Sequence, residues 1–278
     1  MRLRSAPRRS PKARSRLPQL LAALAAAISA SSGASALAAD CQATPILSSC
    51  IDADNLWPHA SGGFFSMGSA LTTPANKSAF GLVASYLSRP IGLRVASPDP
   101  DGTVLYAIDN VVDTTFLWAL GVTDRLELTL ALPVTLYQDG GGLADVLGTD
   151  DALPRSVVRD GRFGASLALL PRPRAGSGNG VAVTARIQFG APFGARDAFA
   201  SAGVMTTVPS VTADLRLGRL LVAADIGGRI RNNRSLAGAT VGSQVTAALG
   251  VSFDILSDRW LTASAEAFGL YTLASQKP

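Results

Sequence analysis

Between residues 125 and 136 hydrophobic and polar positions alternate with a period of two. Leu126, Leu128, Leu130, Leu132, Val134 and Leu136 fall on one side; Glu127, Thr129, Ala131 and Thr135 fall on the other. Such alternation marks a strand with one apolar and one polar face. It recurs at 162–170, 181–191, 211–217, 220–226 and 245–255. Strands are also expected at 64–71, at 80–95 with a phase reset near Pro90, at 104–120 and at 261–273. Each alternating segment is close to the roughly 9–11 residues that a strand needs to cross a bilayer.

A sheet in lipid must close on itself, because an open edge leaves backbone donors and acceptors unpaired. The expected fold class is therefore all-β: an antiparallel transmembrane β-barrel, about ten strands visible and up to twelve in a complete version. Connection lengths support it. Turns at 121–124, 218–219 and 257–259 are short and that at 171–180 is intermediate, whereas 138–160, 195–207 and 232–242 are long. Barrels of the bacterial outer membrane sort their connections this way, with the short turns periplasmic. By that parity the last strand runs outward, and the ending Ser275-Gln276-Lys277-Pro278 is not an aromatic strand terminus. A C-terminally truncated barrel is the expectation.

The N-terminus changes how charge is read. Arg2, Arg4, Arg8, Arg9, Lys12, Arg14 and Arg16 precede an Ala/Leu-rich stretch at 20–28, and Ala36-Leu37-Ala38 offers a small-x-small cleavage site. Residues 1–39 thus read as a cleaved secretory signal peptide rather than a membrane anchor. Ser10-Pro11-Lys12 after the Arg8-Arg9 pair is a poor context for twin-arginine export. Those seven cations belong to the 25 Lys and Arg of the whole chain, leaving 18 against 20 Asp and Glu. The mature balance is about −2, so the high isoelectric point belongs to the export signal and does not point to nucleic acid. Residues 40–60, containing Trp57-Pro58-His59, read as an irregular periplasmic lead-in, and 61–278 as the barrel.

Cys41 and Cys50 are the chain's two cysteines. In an exported protein they are expected to form a local disulfide. The alternative, a lipid-modified Cys41, is disfavoured by Asp40 where a small residue is required. Two thiols and a distant histidine are too few ligands for a metal site, and no cofactor is expected.

Asp54-Asn55-Leu56-Trp57-Pro58-His59-Ala60, Phe80-Gly81-Leu82-Val83-Ala84-Ser85-Tyr86-Leu87-Ser88-Arg89-Pro90 and Gly121-Val122-Thr123-Asp124-Arg125-Leu126-Glu127-Leu128 resemble the barrel portion of OmpA-family proteins of myxobacterial type. The last stretch is also similar to outer-membrane transporters of the MetA-pathway phenol-degradation type. The likeness covers most of 50–275. It implies a barrel that continues into further strands, a linker and a peptidoglycan-binding domain. No positions here match that domain, so a peptidoglycan tether is not carried over.

The inward faces are expected to hold Asp109, Asp113, Glu127, Asp214, Asp225, Asp254 and Glu266 with Arg162, Arg186, Arg216, Arg229 and Arg231. These residues would either select solutes in an open lumen or neutralise one another in a filled one. The filled reading is preferred, because unpaired charge in a narrow lumen is costly. Asp214 with Arg216, and Asp225 with Arg229, flank one tight turn and are placed to pair across neighbouring strands. Phe116, Trp118, Trp260 and Tyr271 are candidates for aromatic girdles or for ordinary packing.

Enzymatic readings are weak. His59, the single histidine, precedes the strands, and a structural role beside Trp57 is preferred over activation of a nucleophile. Gly140-Gly141-Gly142 lies in a long loop with no helix after it, so it is not a phosphate cradle. The expected function is therefore non-enzymatic: a porin-like outer-membrane barrel of a Gram-negative cell, structural or passing small solutes. Its partners are outer-membrane lipid and the barrel-assembly machinery. The rivals are a soluble secreted β-sandwich that binds a ligand, and a transporter for hydrophobic compounds.

Overall fold

A computed structural model describes residues 43–44, 47–60, 63–95, 98, 102–144, 153–173, 178–236, 239–256 and 260–273. They belong to one compact unit, Ala39–Pro278. The expected signal peptide at 1–39, Cys41, the turn at 257–259 and residues 275–278 lie outside the described residues.

The named elements are all strands. β1 (Ala43–Thr44) and β2 (Leu47–Ser48) form a small antiparallel pair. β3 (Ser78–Val95), β4 (Thr103–Gly121) and β5 (Leu126–Asp139) follow, then the two-residue β6 (Val157–Val158). β7 (Gly161–Leu170), β8 (Gly180–Ala191), β9 (Thr206–Leu217) and β10 (Leu220–Arg229) continue the series. β11 (Arg234–Leu236) pairs with β12 (Ala239–Val241), and β13 (Gln244–Asp254) and β14 (Thr262–Thr272) complete it.

Nine long strands form one antiparallel meander in the order β3-β4-β5-β7-β8-β9-β10-β13-β14, with β6 attached to β5. The sheet is curled into a half-barrel. Among the described residues β3 and β14 each pair on one side only. Both begin at the end of the sheet from which the shorter connections leave, β4 to β5, β7 to β8, β9 to β10 and β13 to β14. The longer connections, from β5 to β7, from β8 to β9 and from β10 to β13, leave from the opposite end, as does that from β3 to β4. Gly218, with φ of +60°, opens the two-residue β9–β10 turn at the first loop position, where hairpins favour glycine. The phase reset expected near Pro90 is a bulge: register with β4 shifts between Ser88 and Gly92.

Alternation decides what each face meets. Leu128, Leu132 and Leu136 are 38–57% exposed on the convex side, while Glu127, Ala131 and Thr135 are at most 7% exposed on the concave side. The same division runs through β8, where Val181 and Ile187 face out and Thr184 and Arg186 face in. A soluble domain does the reverse, turning its apolar side chains towards the core.

The strand expected at 64–71 does not form. The described residues 49–60 and 63–77 contain no strand and lie instead along the concave face from one end to the other. The first strand of the large sheet begins at Ser78, and the described residues 63–77 before it carry none of its strands. Phe64 and Met67 are buried against Leu221, Ala223 and Ala248 of β10 and β13. A second apolar cluster lies towards the long connections, where Phe199 and Leu143 pack on Ile91, Leu93, Ile108 and Val111.

Candidate functional site: an inner face bound to its own lead-in

The inward positions of the strands are polar, and the lead-in supplies their partners. Near the long connections, the Arg229 guanidinium donates to the Asn55 side-chain oxygen at 3.1 Å and to its carbonyl at 3.0 Å. Arg162 donates to the Leu56 carbonyl at 3.1 Å and lies 3.7 Å from the Asp54 carboxylate. Both guanidiniums sit over the Trp57 ring, at 4.6 Å for Arg162 and 4.9 Å for Arg229, within the range of a cation–π attraction.

Midway, Arg186 donates to the carbonyls of Met67 at 2.9 Å and Ser69 at 3.1 Å, and Thr184 donates to the Ala70 carbonyl at 2.5 Å. Glu266 accepts from the amides of Phe65 at 2.6 Å and Ser66 at 2.8 Å, and from the Ser66 hydroxyl at 2.6 Å. At the short-turn end Glu127 accepts from the Thr73 amide and hydroxyl. There the lead-in backbone touches β4 so closely that a Cβ on Gly121 would lie 2.1 Å from the Pro74 oxygen. An irregular segment can be buried only if its backbone groups are satisfied, and these side chains engage the amides of Phe65, Ser66 and Thr73 and the carbonyls of Asn55, Leu56, Met67, Ser69 and Ala70.

A buried ionic cluster fastens the other end. Arg159 pairs with Asp52 of the lead-in and, at 3.2 Å, with Asp113 of β4. Thr135 donates to Asp113 at 2.5 Å, and Arg159 is 1% exposed. Asp160, next in sequence, accepts the amides of Gly194 at 3.0 Å and Ala202 at 2.8 Å. Burial raises the Asp54 carboxyl above its ordinary value, an effect that Arg162 partly offsets. Burial lowers His59 well below the usual histidine value, with Arg186 and Arg162 adding to it. Its ring nitrogen lies 3.4 Å from the Gln188 amide.

The expected inward residues distribute as follows. Asp113, Glu127, Arg162, Arg186, Arg229 and Glu266 hold the lead-in or its ionic cluster. Asp225 accepts from Thr212 at 2.5 Å, and Arg231 donates to the Gly242 carbonyl at 3.1 Å. Asp109 is half-buried on β4 and takes no part in the cluster.

The pairings expected around the 218–219 turn are replaced. Asp214 takes Arg172, from the 171–179 connection, and Arg216 takes Asp254 of β13. The register explains why: Asp214 lies opposite Ala223, and Thr212, not Arg216, lies opposite Asp225. Asp225 and Arg229 share the same face of one strand, four residues apart, which separates them by about 13 Å.

Asp52, Asp54, Trp57, Arg159 and Arg172 make contacts on the inner face that strand alternation alone does not reveal. The one available signal was an acidic pair, Asp52 and Asp54, beside a tryptophan in an otherwise uncharged stretch. Cys50 is buried and disulfide-bonded. Of the aromatic candidates, Phe116 lies mid-strand with its ring 6.2 Å from Phe80. Trp260 and Tyr271 lie exposed at opposite ends of the last hairpin strand.

No family model matches the chain, and no curated protein matches it. The fold and the inner face define it at the level of class: an all-β protein whose curled antiparallel sheet is apolar outside, polar inside and occupied by its own N-terminal segment.

Proposed function

We propose that the chain is an outer-membrane barrel protein, its β3 and β14 edges joined in lipid, whose passage is closed by the lead-in, with a structural role rather than that of an open pore. The inverted sheet carries this reading. Large apolar side chains such as Leu249, Ile226, Leu217 and Leu169 stand exposed in rows on the convex face. Contiguous apolar surface on that scale marks contact with lipid or protein. The sorted connections and the strand lengths agree with the same reading. Export by a cleaved signal, insertion by the barrel-assembly machinery and residence among outer-membrane lipids go with it, as does the resemblance to OmpA-family barrels.

The rival β-sandwich would need an apolar inner face facing a second sheet. Here the inner face presents Asp113, Glu127, Arg162 and Arg186 instead. A passive channel is disfavoured by the lead-in, which is bonded to β5, β7, β8, β10 and β14 along its course.

The test is refolding into lipid vesicles, followed by heat-modifiable gel migration and planar-bilayer recording. Insertion without steady conductance steps is expected. A β-rich protein that stays soluble without detergent would overturn the membrane reading, and stable discrete steps from the intact chain would overturn the closed lumen.

A further inference from the structure

The lead-in, the chain that precedes β3, brings its charge to where the wall is basic. Between residues 49 and 76 it carries two carboxylates, Asp52 and Asp54, and no lysine or arginine. Asp52 pairs with Arg159, Asp54 lies 3.7 Å from Arg162, and Arg229 feels both carboxylates at longer range. Asp52 and Asp54 are themselves buried. The positive charge of this part of the wall is thus met by the lead-in rather than by ions from solvent.

The same wall without the lead-in has a different character. Arg162 lies opposite Gly190 of β8, Gly190 lies opposite Thr206 of β9, and Thr207 bridges Ile230. That sets Arg162 and Arg229 near one level of the sheet. Gly190 places no side chain between them, and the Trp57 ring fills the gap. The ring stands 3.3 Å from where a Cβ on Gly190 would be, with both guanidiniums over it. Withdrawing the lead-in removes Asp52, Asp54 and Trp57 together. Arg159, Arg162, Arg229 and Arg231 then outnumber Asp113 and Asp160 around the opening. Arginines gathered round a narrow passage favour anions.

The grip on the lead-in is of a kind that can be released. Most of it consists of hydrogen bonds from wall side chains to its backbone, which water can replace. Its large buried apolar side chains are few: Ile51, Phe64 and Met67.

We propose that the lead-in is a gate whose carboxylates occupy an anion path, and that its withdrawal opens a passage selective for small anions. This inference rests on the closed barrel proposed above. Asp52 and Asp54 stand where a permeating anion would stand.

Planar-bilayer recording of the full refolded chain under a potassium chloride gradient tests it, with insertion verified by heat-modifiable migration. Two variants loosen the lead-in and leave the arginines in place: G250L, which crowds Phe64 and Met67, and D52N/D54N. Each is expected to give conductance steps that favour chloride over potassium severalfold, while the parent stays silent. Adding R162Q and R229Q to G250L should keep the steps and bring the two permeabilities near parity. Failure to insert, or steady conductance from the parent, would overturn the closed barrel and this inference with it. With an inserted, silent parent, three results would overturn the gate alone: silence of both loosened variants, steps without chloride preference, or a preference that survives R162Q and R229Q.

Discussion

Glu127 Oε2 accepts the backbone amide of Thr73 at 2.6 Å and the hydroxyl of the same residue at 2.7 Å. A carboxylate whose position on an inward strand face suggests solute selection is thus used to pin the chain's own lead-in. The two donors share one oxygen, and Glu127 is 1% exposed, so water offers little substitute. E127A should cost about 2–3 kcal/mol, the range for a lost charge-assisted bond with buried donors left over. Denaturant unfolding of the refolded chain measures it. A cost below about 0.5 kcal/mol would show that Thr73 is not held by this contact.

Arg159 sits between Asp52 and Asp113, joining the lead-in to β4 through a loop residue. Removing the cation leaves two buried carboxylates facing one another. R159L should therefore destabilise by about 3–5 kcal/mol, and the double variant R159L/D52N should recover part of that loss. Non-additivity in a double-mutant cycle is the readout; strict additivity would mean that the pair does not couple.

Much of this architecture is legible in the sequence, and the reason is local. In β5 the outward Leu128 and Leu132 and the inward Glu127 and Thr135 are assigned correctly by period two, because the pleat itself imposes that period. The bulge near Pro90 is legible for the same reason. The lead-in is not. Phe64, Met67 and Ala70 are apolar and closely spaced, and composition alone does not distinguish a short strand from an irregular segment buried against a sheet. What buries them is distant in sequence: a Cβ on Gly250 would lie 2.6 Å from the Phe64 ring and 2.9 Å from the Met67 methyl. The pairing of Asp214 with Arg172 is hidden likewise, since it depends on where a connection folds back.

Gly250 makes that contact testable. Its neighbours Leu249 and Val251 face outwards, so a side chain at 250 points only at the lead-in. G250L should displace Phe64 and Met67 and cost about 1–3 kcal/mol, as overpacking does. Protease cleavage within 61–77 should appear in G250L and be absent from the parent chain. Equal resistance in both would argue that the lead-in does not pack there.

Acid should loosen the same segment. His59 has its pKa pushed well below 6.5 by burial, with Arg186 and Arg162 adding to the shift. A lowered histidine favours the docked state fully above 6.5, and that contribution is lost as pH falls from 6.5 towards the depressed value. Asp54 acts with the opposite sign. Its raised pKa favours docking below the ordinary 3.8, and the contribution is lost as pH rises through the raised value. The histidine contribution changes by at most about 1.4 kcal/mol per pH unit. Amide exchange in 52–70 should accelerate at pH 5.5 relative to 7.5, and H59Q should remove most of that difference. An identical acceleration in H59Q would assign the effect to other groups.

Leu249 gives the sharpest test of the environment outside the sheet. It lies midway along β13, faces the convex side and is 66% exposed. In water, replacing such a residue with arginine is nearly neutral, within about 0.5 kcal/mol. At a bilayer midplane the same change on a barrel's lipid face costs about 2–4 kcal/mol and falls to roughly 0–1 near the interfaces. L249R should therefore show the large penalty in vesicles, and arginine placed at Phe253, at the short-turn end of the same strand, should show less. A depth-dependent pair of penalties would mean that lipid covers this face. Two values near zero would mean that it meets water or a partner protein, and the polar inner face would then need an explanation other than barrel topology.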